Sequence, residues 1–253
     1  MKCRSNIVRL CWISLLFLSA LAQASVVLSG TRVVYQAADA ETTVRMNNTS
    51  EKTPALIQAW IDKGDTKAAP DEIDVPFVIT PTIARIDPGK GQALRIVYIG
   101  NEASLPADRE SVFWLNVVEI PPKPTADNSS GNVMQFAFRT RIKMFYRPSK
   151  LDGHIEQASN QLTWRLKAND KTSEIEVINP TAYHISFSEI EVLTGDKKAA
   201  TVSGGMVAPK DKKTFSLDGL IPANASYKIR YTVINDSGAN IEGESHGDSR
   251  ENS

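Results

Sequence analysis

The chain has 253 residues, enough for one large or two ordinary domains. Its 29 basic and 29 acidic side chains balance, which argues against nucleic acid as a ligand. Both cysteines, Cys3 and Cys11, fall in the opening segment, so the chain beyond them has no disulfide and must be held by core burial.

Lys2, Arg4 and Arg9 precede an apolar run from Leu10 to Leu21, and Ala22-Gln23-Ala24 is a small-x-small cleavage site. Residues 1–24 therefore read as an export signal cleaved after Ala24. The run is too short to span a bilayer, and bulky Arg9 and Leu10 before Cys11 argue against lipid attachment. The mature chain from Ser25 then carries 26 basic and 29 acidic residues. Nothing after the leader reads as a membrane span, so no membrane insertion is expected.

From Ser25 to Pro148 short alternating runs are broken by turn residues. Val26, Leu28, Val33 and Tyr35 give a first strand with a switch near Ser29-Gly30. Thr42 to Met46 is a second, and Ala55 to Ile61 a third that carries Trp60, expected in the core. Phe77 to Ile86 contains Pro81 and reads as an edge or bent strand. Leu94 to Tyr98 follows the Pro88-Gly89 turn, and Phe113 to Val118 ends at Pro121-Pro122-Lys123-Pro124; the parity of Trp114 leaves its side open.

A polar loop leads to the run Met134 to Pro148. Met134, Phe136, Phe138, Thr140 and Ile142 share one parity, and Gln135, Ala137, Arg139, Arg141 and Lys143 the other. A period of two makes this a long strand with one apolar face and one small, polar or basic face. Roughly seven strands in about 120 residues is the profile of an immunoglobulin-like sandwich.

After an interruption at residues 148–153 the style repeats. Leu162 to Leu166, Ile175 to Val177, Tyr183 to Phe187, Ile190 to Val192, Met206 to Pro209, Phe215 to Leu217 and Tyr227 to Ile234 supply a second sandwich, with Trp164 in its core. The fold class is all-β: two immunoglobulin-like domains, 25–147 and 154–242, joined by a linker at 148–153. The polar stretch 243–253 reads as a disordered tail.

His154, His184 and His246 lack metal-ligand spacing, and no phosphate-cradling glycine loop or nucleophile elbow occurs. No catalytic residue, metal or other cofactor is expected, and an enzyme reading has little to rest on. Asn47, Asn48, Asn128, Asn224 and Asn235 head N-x-Ser/Thr triplets, a pattern common by chance.

Five blocks carry a resemblance. Thr140-Arg141-Ile142-Lys143-Met144-Phe145-Tyr146-Arg147-Pro148 resembles the end of the first domain of PapD-like periplasmic pilus chaperones, and Gly30-Thr31-Arg32-Val33-Val34-Tyr35 resembles their first strand. Leu105 to Trp114 together with Glu119-Ile120-Pro121-Pro122, then Asn179-Pro180-Thr181-Ala182-Tyr183 and Ile234-Asn235-Asp236-Ser237-Gly238, resemble further family blocks in the same order. The family's fold is two sandwiches in an L around a cleft, and its mode of binding is strand addition.

The resemblance implies a chaperone that binds pilus (fimbrial) subunits one to one in the periplasm of a Gram-negative bacterium and hands them to an outer-membrane usher. It implies that Met134, Phe136 and Phe138 are lent to a subunit lacking its last strand, while Thr140 and Ile142 stay in the home core. Arg32 and Lys143 match the anchors of the subunit's C-terminal carboxylate. Arg139 and Arg141 share the parity of Lys143 and are rival anchors, separated from it only by the motif match. Glu110, Arg147 and Asp236 match an interdomain ion cluster, read as an exposed set that fixes the angle and adds little stability. The short loop from Pro121 to Asn132 and the cysteine-free mature chain suggest the family's short-loop branch. Exposed apolar side chains give a motive for self-association of the free chain. The alternative is a structural or adhesive Ig-like surface protein assembling by strand addition.

Overall fold

The computed structural model describes residues 25–101, 105–121, 135–168, 171–195, 197–222 and 226–247. The leader, the loop at 122–134 and the last six residues lie outside that set. The first sandwich contains β1 (Val26–Leu28), β2 (Arg32–Gln36), β3 (Thr42–Asn48), β4 (Ala55–Asp62), β5 (Phe77–Thr80), β6 (Ile83–Ile86), β7 (Gly91–Tyr98), β8 (Ser111–Ile120) and β9 (Phe138–Arg147). They form a four-stranded sheet, β1-β3-β7-β5, and a five-stranded sheet, β2-β9-β8-β4-β6.

Two of the expected strands each divide into a pair that serves both sheets. β1 pairs with β3 and β2 with β9, so the chain crosses between layers at Ser29–Thr31. β5 pairs with β7 and β6 with β4, and the crossing falls at Pro81, which has no N–H to give a ladder. Met46, Ile57, Leu94, Ile96, Leu115 and Met144 are fully buried between the sheets. Tyr35, Phe77, Phe113, Tyr98 and Tyr146 close one end, with ring centroids 4.7–6.1 Å apart. Trp60 is not in this core. It shares a face of β4 with Asp62, opposite buried Ile57, Ala59 and Ile61, and so lies on the outer side of the five-stranded sheet. Trp114 pairs with Asp62 in the β4–β8 ladder and takes the same outer side.

The second sandwich opens with one turn of helix, α1 (Ile155–Ala158). It continues with β10 (Thr163–Ala168), β11 (Ser173–Asn179), β12 (Ile185–Thr194), β13 (Lys197–Val207), β14 (Asp211–Ser216), β15 (Tyr227–Ile234) and β16 (Asn240–Gly247). Its sheets are β10-β11-β14 and β13-β12-β15-β16. Trp164 stacks on Tyr231 at 5.2 Å inside this core. The apparent break between the Ile185–Phe187 and Ile190–Val192 runs is a bulge in one strand. The β12–β15 register shifts between Phe187 and Glu189, which inverts the parity of the remaining residues of β12.

The polar tail expected from residue 243 is corrected by β16, which pairs with β15 from Ile234↔Asn240 to Tyr227↔Gly247. An edge strand that completes a ladder needs no apolar face, which is why composition misled. Glu244 bridges to Lys228 and Arg230, and Gly243 lies so close to the Tyr231 ring that a Cβ there would sit 2.4 Å from it.

Candidate functional site

The long strand exists, but its two ends differ. β8 pairs with β9 along the strand, from Glu119↔Phe138 to Ser111↔Tyr146. β2 pairs with the other edge, in parallel, only from Lys143 to Arg147. Along Phe138–Ile142 that second edge has no partner strand among the described residues. Phe138 is 47 % exposed and Phe136, just before the strand, 67 % exposed; Met134 lies outside the described residues. Ile142 packs against the home core. Thr140, expected beside it, is exposed, and lines a small gap with Val26, Leu28, Val117 and Phe138 in place of core packing.

Where the unpaired edge ends, β2 begins, and the register sets Arg32 directly beside Lys143. Lys143 Nζ donates to Ser186 Oγ at 3.0 Å, and Arg32 Nη1 donates to the Ile234 carbonyl at 2.7 Å. Neither cation is in an ion pair among the described residues, and the Arg32 Nε is buried without a hydrogen-bond partner. Burial, followed by the positive charges of Arg32 and Lys213, pushes the Lys143 ammonium down to about 8. Burial also lowers the Arg32 guanidinium, against the opposing pull of Asp236. Two adjacent desolvated cations with spare donors are chemically suited to an anion, and a carboxylate matches the donors of both. Arg32 lines an interdomain cavity of about 370 Å³, together with Phe145, Ile185, Val233 and Ser186, the hydroxyl that Lys143 bonds.

Arg139 and Arg141, on the same face, are already engaged. Arg141 donates to both oxygens of Asp62 (Nη2 to Oδ1 2.6 Å, Nε to Oδ2 3.3 Å). Arg139 donates twice to Asn116 Oδ1, at 3.0 and 2.8 Å, and to the Thr66 carbonyl at 2.9 Å. Asn116 in turn donates to Asp62 Oδ2 at 2.7 Å. The two guanidiniums lie over Trp60 and Trp114, at 4.9 and 4.6 Å from the ring centroids. Sequence reasoning missed Asp62, Asn116 and Ser186. Asp62 is the one acid in an otherwise neutral β4, a signal without a partner until the sheet is assembled.

The second domain docks at the far end of β9. Arg147 Nε donates to Glu110 Oε1 at 2.7 Å, and its two Nη atoms to the Asp236 carboxylate at 2.6 and 2.9 Å. Glu110 Oε2 accepts the His184 N–H at 2.8 Å, and the Glu110 N–H donates to the Ala182 carbonyl at 2.9 Å. The pair expected to be exposed is in fact enclosed: Glu110 is 3 % and Arg147 9 % exposed. The loop that meets Glu110 is held by Asn179, whose side chain bonds Tyr183, Ala208 and Thr181. Gly238 (φ +85°) abuts the first domain so closely that a Cβ would sit 2.4 Å from Thr31 Oγ1. Among the described residues no group of three or more His, Cys, Asp or Glu could hold a metal.

Residues 25–152 match the family described as pili and flagellar-assembly chaperone, PapD N-terminal domain, and residues 157–245 that described as pili assembly chaperone PapD, C-terminal domain. The chain is 45 % identical to the chaperone protein FimB/FhaD of Bordetella pertussis, over 87 % of each chain. It is 40 % identical to the probable fimbrial chaperone YadV of Escherichia coli, over 92 % of this chain and 94 % of that one. A crystal structure of the YadV chaperone superposes with a TM-score of 0.74 at 38 % identity, covering 88 % of this chain and 99 % of that one. The SafB chaperone in complex with the SafA pilin of Salmonella enterica superposes with a TM-score of 0.71 at 25 % identity, over 88 % and 95 %. On both domains, and at this identity over nearly the whole length, the chain belongs to the PapD family of pilus assembly chaperones.

Proposed function

We propose that this protein is a non-enzymatic periplasmic chaperone that holds one pilus subunit at a time by lending it β9. The observation that carries the proposal is the half-paired strand: an open edge along Phe138–Ile142 that stops at Arg32 and Lys143. A subunit strand added to that edge is in line with β2 and must end where β2 starts. Its C-terminal carboxylate then meets the two cations, and running toward Arg32 it lies parallel to β9. Edge addition satisfies amides and carbonyls on both chains and removes an aggregation hazard from the subunit. Phe136 and Phe138, with Met134 before them, fill the subunit's open core, at about 1.5–3 kcal/mol for each large apolar side chain fully buried. Export with cleavage after Ala24, delivery to an outer-membrane usher, membership of the short-loop branch and self-association of the free chain complete the proposal. The energy for release comes from the subunit's tighter packing in the fibre, not from a nucleotide.

The test is co-expression with a pilus subunit from the same genome. A soluble one-to-one complex is expected, lost on Arg32→Ala or Lys143→Ala although both variants stay folded. A complex that survives both substitutions sinks the anchor assignment.

A further inference from the structure

The anchor pair and its two rivals share one strand face, two residues apart. In an extended chain a shift of two residues preserves parity, so the donated phenylalanines would still point into the subunit. Parity therefore does not protect the register. A subunit could place its carboxylate at Arg141 and still insert apolar side chains, displaced by about 6.6 Å. Something else must set the chain end at Lys143.

Asp62 has the geometry to do so. It is 1 % exposed, and four donors converge on its carboxylate: both Arg141 contacts, the Asn116 amide and the Gly64 N–H at 2.6 Å. Burial would raise this carboxyl, but the hydrogen bonds from Arg141, Asn116 and Gly64 outweigh it and hold it below its ordinary range. The Arg141 guanidinium lies over Trp114, 4.6 Å from its ring centroid, and Gly64 leaves room for that ring: a Cβ there would sit 3.2 Å from it. Arg139 is drawn the same way, toward Asn116 and Thr66 and away from the unpaired edge. The result is one face carrying three cations, of which only Lys143 lacks an anionic partner among the described residues.

We propose that Asp62 is a specificity-determining residue for subunit register: it occupies Arg141, and through Asn116 Arg139, so that the subunit's C-terminal carboxylate is accepted only at Arg32 and Lys143. The inference rests on the strand-lending reading above and adds the device that makes the anchor unique.

The experiment is a competition. A pilus subunit from the same genome that the chaperone captures and the same subunit lacking its last two residues are co-expressed with the chaperone, and their ratio in the purified complex is read by mass spectrometry. The wild-type protein is expected to favour the full-length subunit by about tenfold or more, the loss of one shielded charge-assisted contact. Asp62→Asn, shown to be folded by its thermal melt, is expected to bring that ratio to within about threefold, because Arg141 becomes available. Adding Arg141→Met to Asp62→Asn is expected to restore discrimination, a reversal that a merely structural role for Asp62 does not produce. A folded Asp62→Asn with unchanged discrimination overturns the proposal. Should Asp62→Asn fail to fold, Lys143→Ala decides the matter with the network intact: it is expected to lose the full-length subunit and gain nothing for the shortened one. Preferential capture of the shortened subunit by Lys143→Ala would show Arg141 to be available already and overturn the inference. Failure of the strand-lending reading looks different, since then the wild-type protein captures no pilus subunit from that genome.

Discussion

The two halves of β9 make opposite use of the same backbone. From Lys143 to Arg147 the strand has a neighbour on each edge, Met144 is fully buried, and Phe145 and Arg147 are 3 % and 9 % exposed. From Phe138 to Ile142 it has one neighbour, and its first three side chains are exposed. A strand normally offsets the cost of ordering its residues with pairing and burial on the spot. Here the lower half holds the upper half out, so an unfinished edge extends from a buried, doubly paired base. The proposed binding edge lies where the fold is incomplete, and the buried, doubly paired residues lie where it is complete.

The sharpest way to break that division is to damage the lower half. Glu110→Ala would leave Arg147 with only Asp236, which is itself partly exposed, and would remove the acceptor of the His184 N–H. Removing one partner of an enclosed, hydrogen-bonded ion pair costs about 3–5 kcal/mol. We expect a loss of that size in urea unfolding of the free protein. Asp236→Ala, at the wet end of the same cluster, should cost about 1 kcal/mol or less. Equal effects would mean that burial of Glu110 does not set the energetics.

A substitution in the upper half should do the reverse. Phe136→Asp changes an exposed side chain outside β9, so the free protein should keep its stability to within about 0.5 kcal/mol. Affinity for the subunit should fall by roughly 30-fold or more, from the lost burial of one large apolar group. A folded variant that binds normally would remove Phe136 from the donated segment. Unfolding would instead place it in the home core.

This division was legible in the sequence only as far as each signal reaches along the chain. Alternation along Met134–Ile142 gave the strand and its apolar face, because parity is a local property. The split of the 26–35 and 77–86 runs between sheets was only half legible, through Gly30 and Pro81, since which sheet a strand joins is decided by partners far along the chain. Trp60 was misplaced for the same reason. On β4 it alternates with Ala59 and Ile61, and a tryptophan can serve either the core or a guanidinium. The Asp62 network could not be read at all, because its members come from β4, β8, β9 and the loop after β4. The burial of Glu110 was missed because a charge is normally read as surface, and only a docked second domain encloses it.

The smallest expected effect is the one that separates the halves by a single group. Lys143 lies at their junction, and in the free protein its ammonium titrates at about 8 because it is desolvated beside Arg32 and Lys213. Its ordinary value is about 10.4. Between those two values the unfolded chain holds a proton that the folded chain has lost, so this group makes folding stability rise with pH in that window. Subunit binding should respond with the opposite sign. A carboxylate at the anchor needs the charged ammonium, so above about pH 8 binding must take up a proton. Affinity should therefore fall, by about tenfold between pH 7.5 and pH 9, as the protonated fraction of the free chaperone drops. Lys143→Arg keeps its charge throughout and should flatten the profile while preserving most of the contact. A wild-type affinity that is level across this range would mean that the subunit's chain end does not rest on Lys143. The base of the open edge would then be set by Arg32 alone.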